Sequence, residues 1–190
     1  MALNIIAVPG RATFSADAEA DFQPWTGIAS DGNTLRFTRM RSAQRRSWCA
    51  IDDARQMRRL TQGLSFNGHF PTPGEVVITT NQIPSQAFGL TFDHPVRGVG
   101  LDVEPAPAAV VPGQAFKVRL EVTDTTTMDS EVVEKVGNIG GCVFIGATCD
   151  TDRIDRMVVR VSLMDAGGQE SPVEFAVNRM ELLTPIGNIV

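Results

Sequence analysis

Trp25 and Trp48 are the only tryptophans in a chain without tyrosine. An indole is a surface on which a sugar ring stacks, provided amides and carboxylates beside it fix the hydroxyls. Asp102, Glu104, Arg119 and Glu121 fall on the polar parity of alternating segments, so they would line the wet face of a sheet beside such a ring. A solvated face explains the same polar residues without a ligand, and packing as core or anchor is the simpler reading of both tryptophans. A second chemistry lies in the arginines: Arg36, Arg39, Arg41, Arg45, Arg46, Arg55, Arg58 and Arg59 crowd one stretch, answered there only by Asp52 and Asp53. Arg55, Arg58 and Arg59 are its candidate contacts with a protein partner or an anionic surface. On a chain of net charge -5, the simpler reading is a segment lying against its own acidic body, and no nucleic acid is expected.

Catalytic chemistry has less to work with. A nucleophile and base pair would have to use His69 or His94, and both fall in turn-forming stretches, Asn67-Gly68-His69-Phe70 and Asp93-His94-Pro95. Neither a nucleophile elbow nor a phosphate-cradling glycine loop is present. Paired carboxylates of the kind a hydrolase uses leave no mark in sequence spacing, so no catalytic residue is assigned. Zinc is disfavoured because two histidines and three cysteines without a Cys-x-x-Cys make no ligand set. If Cys142 and Cys149 end one extended strand, seven steps of ~3.3 Å part them by ~23 Å, beyond the ~7 Å a disulfide spans. No cofactor is expected. A structural calcium is the one metal the acidic turns at residues 124–129 and 149–152 would admit, though their spacing is that of turn and capping chemistry.

The elements that must carry these groups are strands. Residues 115–124 set Phe116, Val118, Leu120 and Val122 against Lys117, Arg119, Glu121 and Thr123, the period of an antiparallel sheet with one wet face. Residues 156–164 repeat the pattern, and 4–8, 34–38, 75–80, 88–92, 99–103, 130–136, 142–147 and 173–183 read as further strands. Asp93-His94-Pro95 is expected to join the pair at 87–104 as a hairpin tip, residues 105–113 to carry the chain between sheets, and residues 165–168 to close a hairpin into 173–183. In that last strand Val173, Phe175 and Val177 share one parity while Met180 and Leu182 share the other. A β-bulge near Asn178-Arg179 is therefore predicted. Between residues 50 and 62 the period lengthens: Ala50, Ala54, Met57 and Leu60 fall on one face with arginines opposite, the mark of a short amphipathic helix.

With 190 residues, 43% of them hydrophobic and 21% charged, the chain suits one soluble globular domain. It divides into a peripheral segment (1–34), an arginine-rich helical insert (41–62) and the sandwich proper (64–184). No apolar run approaches the ~20 residues of a spanning helix, and the N-terminus has no basic flank of a signal peptide. Neither membrane insertion nor an anchor is expected; the chain is exported only if a leader has been trimmed.

The order AFGLTFDHPVRGVGLDV from Ala87, VFIGATCDTDRIDRMVVRV from Val143 and FAVNRMELL from Phe175 resembles the signature of jelly-roll β-sandwich domains in bacterial exported proteins of the PEP-CTERM type. The likeness covers residues 74–183. It implies a concanavalin-like or carbohydrate-binding-module-like sandwich, non-catalytic, with carbohydrate as the leading ligand class. Asn178-Arg179 stands where the pattern often has an acid, which argues against a calcium site inherited through that acid. Residues 185–190 carry no sorting motif.

The expectation is thus an all-β, two-sheet antiparallel jelly-roll sandwich with one short inserted helix. Its expected role is a non-catalytic binding or surface-structural module with a glycan or protein partner. The alternatives are an assembly module using residues 36–59 and a hydrolase with a carboxylate pair.

Overall fold

The computed structural model describes residues 3–25, 30–35, 39–52, 57–80, 87–106 and 114–185. In chain order the elements are β1 (Ile5–Ala7), α1 (Ala12–Ser15), β2 (Ala20–Gln23), β3 (Arg39–Arg41), β4 (Trp48–Ile51), β5 (Arg58–Thr61) and β6 (Val76–Thr79). There follow β7 (Ala87–Val96), β8 (Gly98–Pro105), β9 (Ala115–Asp124), β10 (Asp129–Asn138), β11 (Val143–Cys149), β12 (Ile154–Met164), β13 (Glu170–Pro172) and β14 (Phe175–Leu183).

They form two antiparallel sheets. The first runs β1-β11-β8-β14-β6-β5, with β2 also on β14; the second runs β10-β9-β12-β7-β4-β3, with β13 on β12. Strict alternation is what makes them pack. Phe116, Val118, Leu120 and Val122 of β9 and Met157, Val159 and Val161 of β12 point inward from the second sheet, and Val99, Leu101 and Val103 of β8 with Ile145 of β11 meet them from the first. The bulge lies where parity requires it: the register of β14 on β8 shifts between Val177 and Met180, so Phe175, Val177, Met180 and Leu182 are all buried.

Three expectations are corrected. Asp93, His94 and Pro95 lie within β7 and are exposed. β7 and β8 form no hairpin, because the chain crosses at Arg97 from the second sheet to the first. The crossing backbone is satisfied there, Arg97 N–H donating to the Leu183 carbonyl at 2.9 Å and its carbonyl accepting from Cys149 N–H at 2.7 Å. Both strands are buried against the same core from opposite sides, which a hairpin within one sheet would not allow.

The turn at residues 165–168 closes β12 onto the short β13, after which β14 joins the other sheet.

The helix expected within 50–62 is absent from the described part of that segment. Trp48–Ile51 and Arg58–Thr61 are strands, paired with β7 and β6, and Ala54 lies outside the described residues. Inter-strand pairing within each sheet overrode a short 3.6-residue pattern, and among the described residues the short helix is Ala12–Ser15 instead. It lies over the outer face of the first sheet, where Phe14 packs with Val8 and Leu183. Farther along that face Phe66 and Phe70 pack on Val77 and Ala176. With both covers in place, every residue of β8 is buried.

Candidate functional site

The sequence-derived ligand residues separate into three places. Trp25 is fully buried, with its ring edge-on to Phe88 at 5.8 Å and its Nε1 donating to the Asn178 carbonyl at 2.5 Å. No face of this ring is open to a sugar.

Asp102 and Glu104 lie on the outer parity of β8, under the covers of the first sheet. Asp102 belongs to a network that sequence reading missed. Arg11, just before α1, pairs with Asp102 and donates to Glu181 at 2.6 Å. The Asn178 amide donates to Glu75 at 2.9 Å and to Asp102 at 3.2 Å, and Arg179 donates to Glu181 at 2.7 Å. Burial pushes the Glu75 carboxyl above its ordinary range, against the opposing effects of Asn178 and Arg11. Glu104 accepts from the His69 N–H at 2.6 Å, and burial raises its carboxyl likewise. The one advance signal was the parity break, which placed Asn178 and Arg179 out of register with the core.

Trp48, Arg119 and Glu121 share the outer face of the second sheet. Cys49 and Ile51 take the inward positions of β4, leaving Trp48 and Ala50 outward and half-buried. The guanidinium carbons of Arg39 and Arg41 lie over the Trp48 ring, 5.2 and 5.4 Å from its centroid, within the range of cation–π attraction. Beyond it the face is a lattice of ion pairs: Arg39 with Asp93, Arg156 with Asp52 at 3.2 Å, and Arg160 with Glu121 at 2.9 Å. Arg119 joins Glu134 and Glu170. Arg119 and then Lys117 hold the Glu170 carboxyl down at about 2, and the hydrogen bonds that Arg119 donates to Glu170 and Glu134 raise its guanidinium further.

The candidate interaction residues do not gather into one patch. Arg55 lies outside the described residues. Arg58 and Arg59 sit on β5 of the first sheet, Arg59 paired with Asp31, which also accepts from Thr61 Oγ1 at 2.7 Å. Arg39, Arg41, Arg45 and Arg46 belong to the β3–β4 hairpin of the second sheet.

All three cysteines are free, Cys142 and Cys149 standing at opposite ends of β11. Among the described residues no group of three or more His, Cys, Asp or Glu side chains is placed to hold a metal ion, and no helix is long and apolar enough to cross a membrane.

No protein-family model matches the chain, and no curated protein does. Among solved structures it is similar to TmCBM61 in complex with β-1,4-galactotriose, at 15% identity over 72% of this chain and 88% of that one, with a TM-score of 0.40. It is also similar to the K2 cleaved adhesin domain of Lys-gingipain, at 12% identity over 86% and 98% of the two chains, with a TM-score of 0.44. A third likeness is to the CBM22-1–GH10 modules of a Clostridium thermocellum endo-1,4-β-D-xylanase in complex with xylohexaose, at 11% identity, covering 75% of this chain and 27% of that one, with a TM-score of 0.40. All three are distant likenesses, two of them to structures that include carbohydrate-binding modules.

Proposed function

We propose that the chain is a non-catalytic glycan-binding module that takes its ligand on the outer face of the second sheet, with Trp48 as the stacking surface. The observation that supports this is the placement of Trp48. It projects outward from β4 on the same face as hydrogen-bonding side chains that are joined in ion pairs. Stacking on an aromatic face combined with fixed polar groups is the chemistry that orients a small polar ligand. Arg39 and Arg41 now cover the ring, and an exposed cation–π contact contributes only about 0.5–1 kcal/mol, so a sugar can displace one of them. The carboxylates on the other sheet are engaged by Arg11, Arg179 and Asn178 beneath the N-terminal segment. That supports a tie between elements over a hydrolytic pair. The division of the arginines between two sheets likewise weakens the assembly reading.

The test is a tryptophan-fluorescence and calorimetric titration against a panel of soluble oligosaccharides. Trp25 is the internal control because it is buried. A spectral change on binding that is lost, together with affinity, in Trp48→Ala, and retained in Arg58→Ala/Arg59→Ala, supports the proposal. Undiminished binding by Trp48→Ala overturns it, as does failure to bind any member of the panel.

A further inference from the structure

We infer that the Trp48 site takes an acidic glycan, one whose carboxylate or sulfate is read by Arg41; this rests on the glycan-binding reading above. On the outer face of the second sheet the nearby carboxylates are already matched: Asp93 pairs with Arg39, Asp52 with Arg156 and Glu121 with Arg160. Arg41 is different. Its guanidinium lies over Trp48, its Nε donates to the main-chain carbonyl of Arg45 at 3.3 Å, and among the described residues no carboxylate pairs with it.

The same hairpin adds Arg45 at its exposed tip, with φ of 60°, and Arg46, whose Nη1 donates to the Ala18 carbonyl at 3.4 Å. Neither has a carboxylate partner among the described residues. Three such cations in one hairpin of a chain carrying a net charge of -5 give the element that bears Trp48 a positive local potential, and a field of this kind steers an anionic ligand toward it.

The hairpin is held firmly enough to present them. Ser42 Oγ donates to the buried Asp21 carboxylate, Gln44 N–H donates to the same group at 2.9 Å, and Ala43 N–H donates to the Phe22 carbonyl at 2.8 Å.

Competition for the ring decides between neutral and acidic ligands. A neutral sugar stacking on Trp48 displaces a guanidinium and returns only hydroxyl hydrogen bonds. An acidic sugar gives the displaced Arg41 an oxyanion, and the planar guanidinium fork matches a carboxylate or sulfate in two parallel bonds. The exchange of a cation–π contact for a charge-assisted bond therefore favours the acidic ligand.

The experiment is calorimetry on the whole chain with four probes: oligogalacturonate, a sulfated chondroitin oligosaccharide, a neutral β-1,4-galactan oligosaccharide and a single-stranded oligonucleotide. Tighter binding of either acidic glycan than of the neutral one supports the inference, the tighter of the two arms identifying the anion. Arg41→Ala should then weaken that binding about tenfold, the size of one charge-assisted hydrogen bond, Arg41→Lys should restore only part of it, and added salt should weaken it. Thermal unfolding of both variants checks that the fold survives. Equal or better binding of the neutral glycan, unchanged in Arg41→Ala, overturns the inference and leaves the glycan-binding reading standing. Binding of the oligonucleotide alone, or of no probe, overturns both.

Discussion

The Trp25 indole N–H donates to the main-chain carbonyl of Asn178 at 2.5 Å, so the end of the N-terminal segment is fastened to the bulge in β14. A bulge takes residues out of the strand ladder, and here the orphaned carbonyl finds its donor in a buried ring. The Asn178 side chain is used as fully: its amide donates to Glu75 and Asp102, and its oxygen accepts from the Asp102 N–H at 3.2 Å. Asn178→Ala therefore takes the amide away from a Glu75 oxygen and from the Asp102 N–H, while the Asp102 carboxylate keeps Arg11. Each such group costs about 1–3 kcal/mol, and a loss of about 2–4 kcal/mol is expected in urea unfolding. An unchanged midpoint would show that water replaces the amide.

Arg11 makes the second tie. It pairs with Asp102 and Glu181, whose side chains are 8% and 7% exposed. Removing one partner of a fully buried ion pair costs about 3–5 kcal/mol. The Arg11 side chain retains 24% exposure, so screening reduces the expected cost of Arg11→Gln to about 2 kcal/mol. Faster proteolysis within residues 3–25 should accompany it, since α1 would lose its anchor. Wild-type cleavage kinetics would show that Phe14 alone holds the segment down.

The sandwich was legible because buried and wet side chains alternate along β9 and β12, and a period of two has only one structural use there. The bulge was legible for the same reason. What alternation cannot show is which sheet a strand joins: β7 and β8 have the local pattern of a hairpin whether the chain turns back or crosses over at Arg97. The two tryptophans looked equivalent, although Cys49 and Ile51 already placed Trp48 on the outward parity, while Trp25 had no such neighbours. The network around Asn178 joins Arg11, Glu75, Asp102 and Glu181 from distant parts of the chain, and such contacts leave no trace in local spacing.

Gly100 and Gly146 face each other across β8 and β11 and form the floor on which Phe14 rests. A Cβ at Gly100 would fall 2.6 Å from Phe144 and 2.9 Å from Phe14. Gly100→Ala should destabilise by about 1–3 kcal/mol, the usual cost of overpacking. Phe144→Leu should recover part of that cost in the double variant, because the closest approach of the methyl is to that ring. A double-mutant cycle measures the coupling, and strict additivity would show that the ring is not what the methyl meets.

Glu104 gives a pH dependence with a definite sign. Burial raises its folded carboxyl above the ordinary carboxylate range, although the His69 N–H and imidazole act the other way. The nearby Cys142 thiol is pushed up to about 11, first by burial and then by Asp102 and Glu104, so it remains neutral through the same window. Since folding raises this carboxyl, the native state holds the proton more tightly than the unfolded chain. The group's contribution is most favourable below the unfolded value and is lost as pH rises through the folded one. Glu104→Gln removes that titration. Its stability relative to wild type should therefore increase as pH rises above the ordinary carboxylate range and level off once the native carboxyl is ionised. Urea unfolding at several pH values reads this directly, and a difference that stays flat with pH would mean that His69 compensates the buried charge in full.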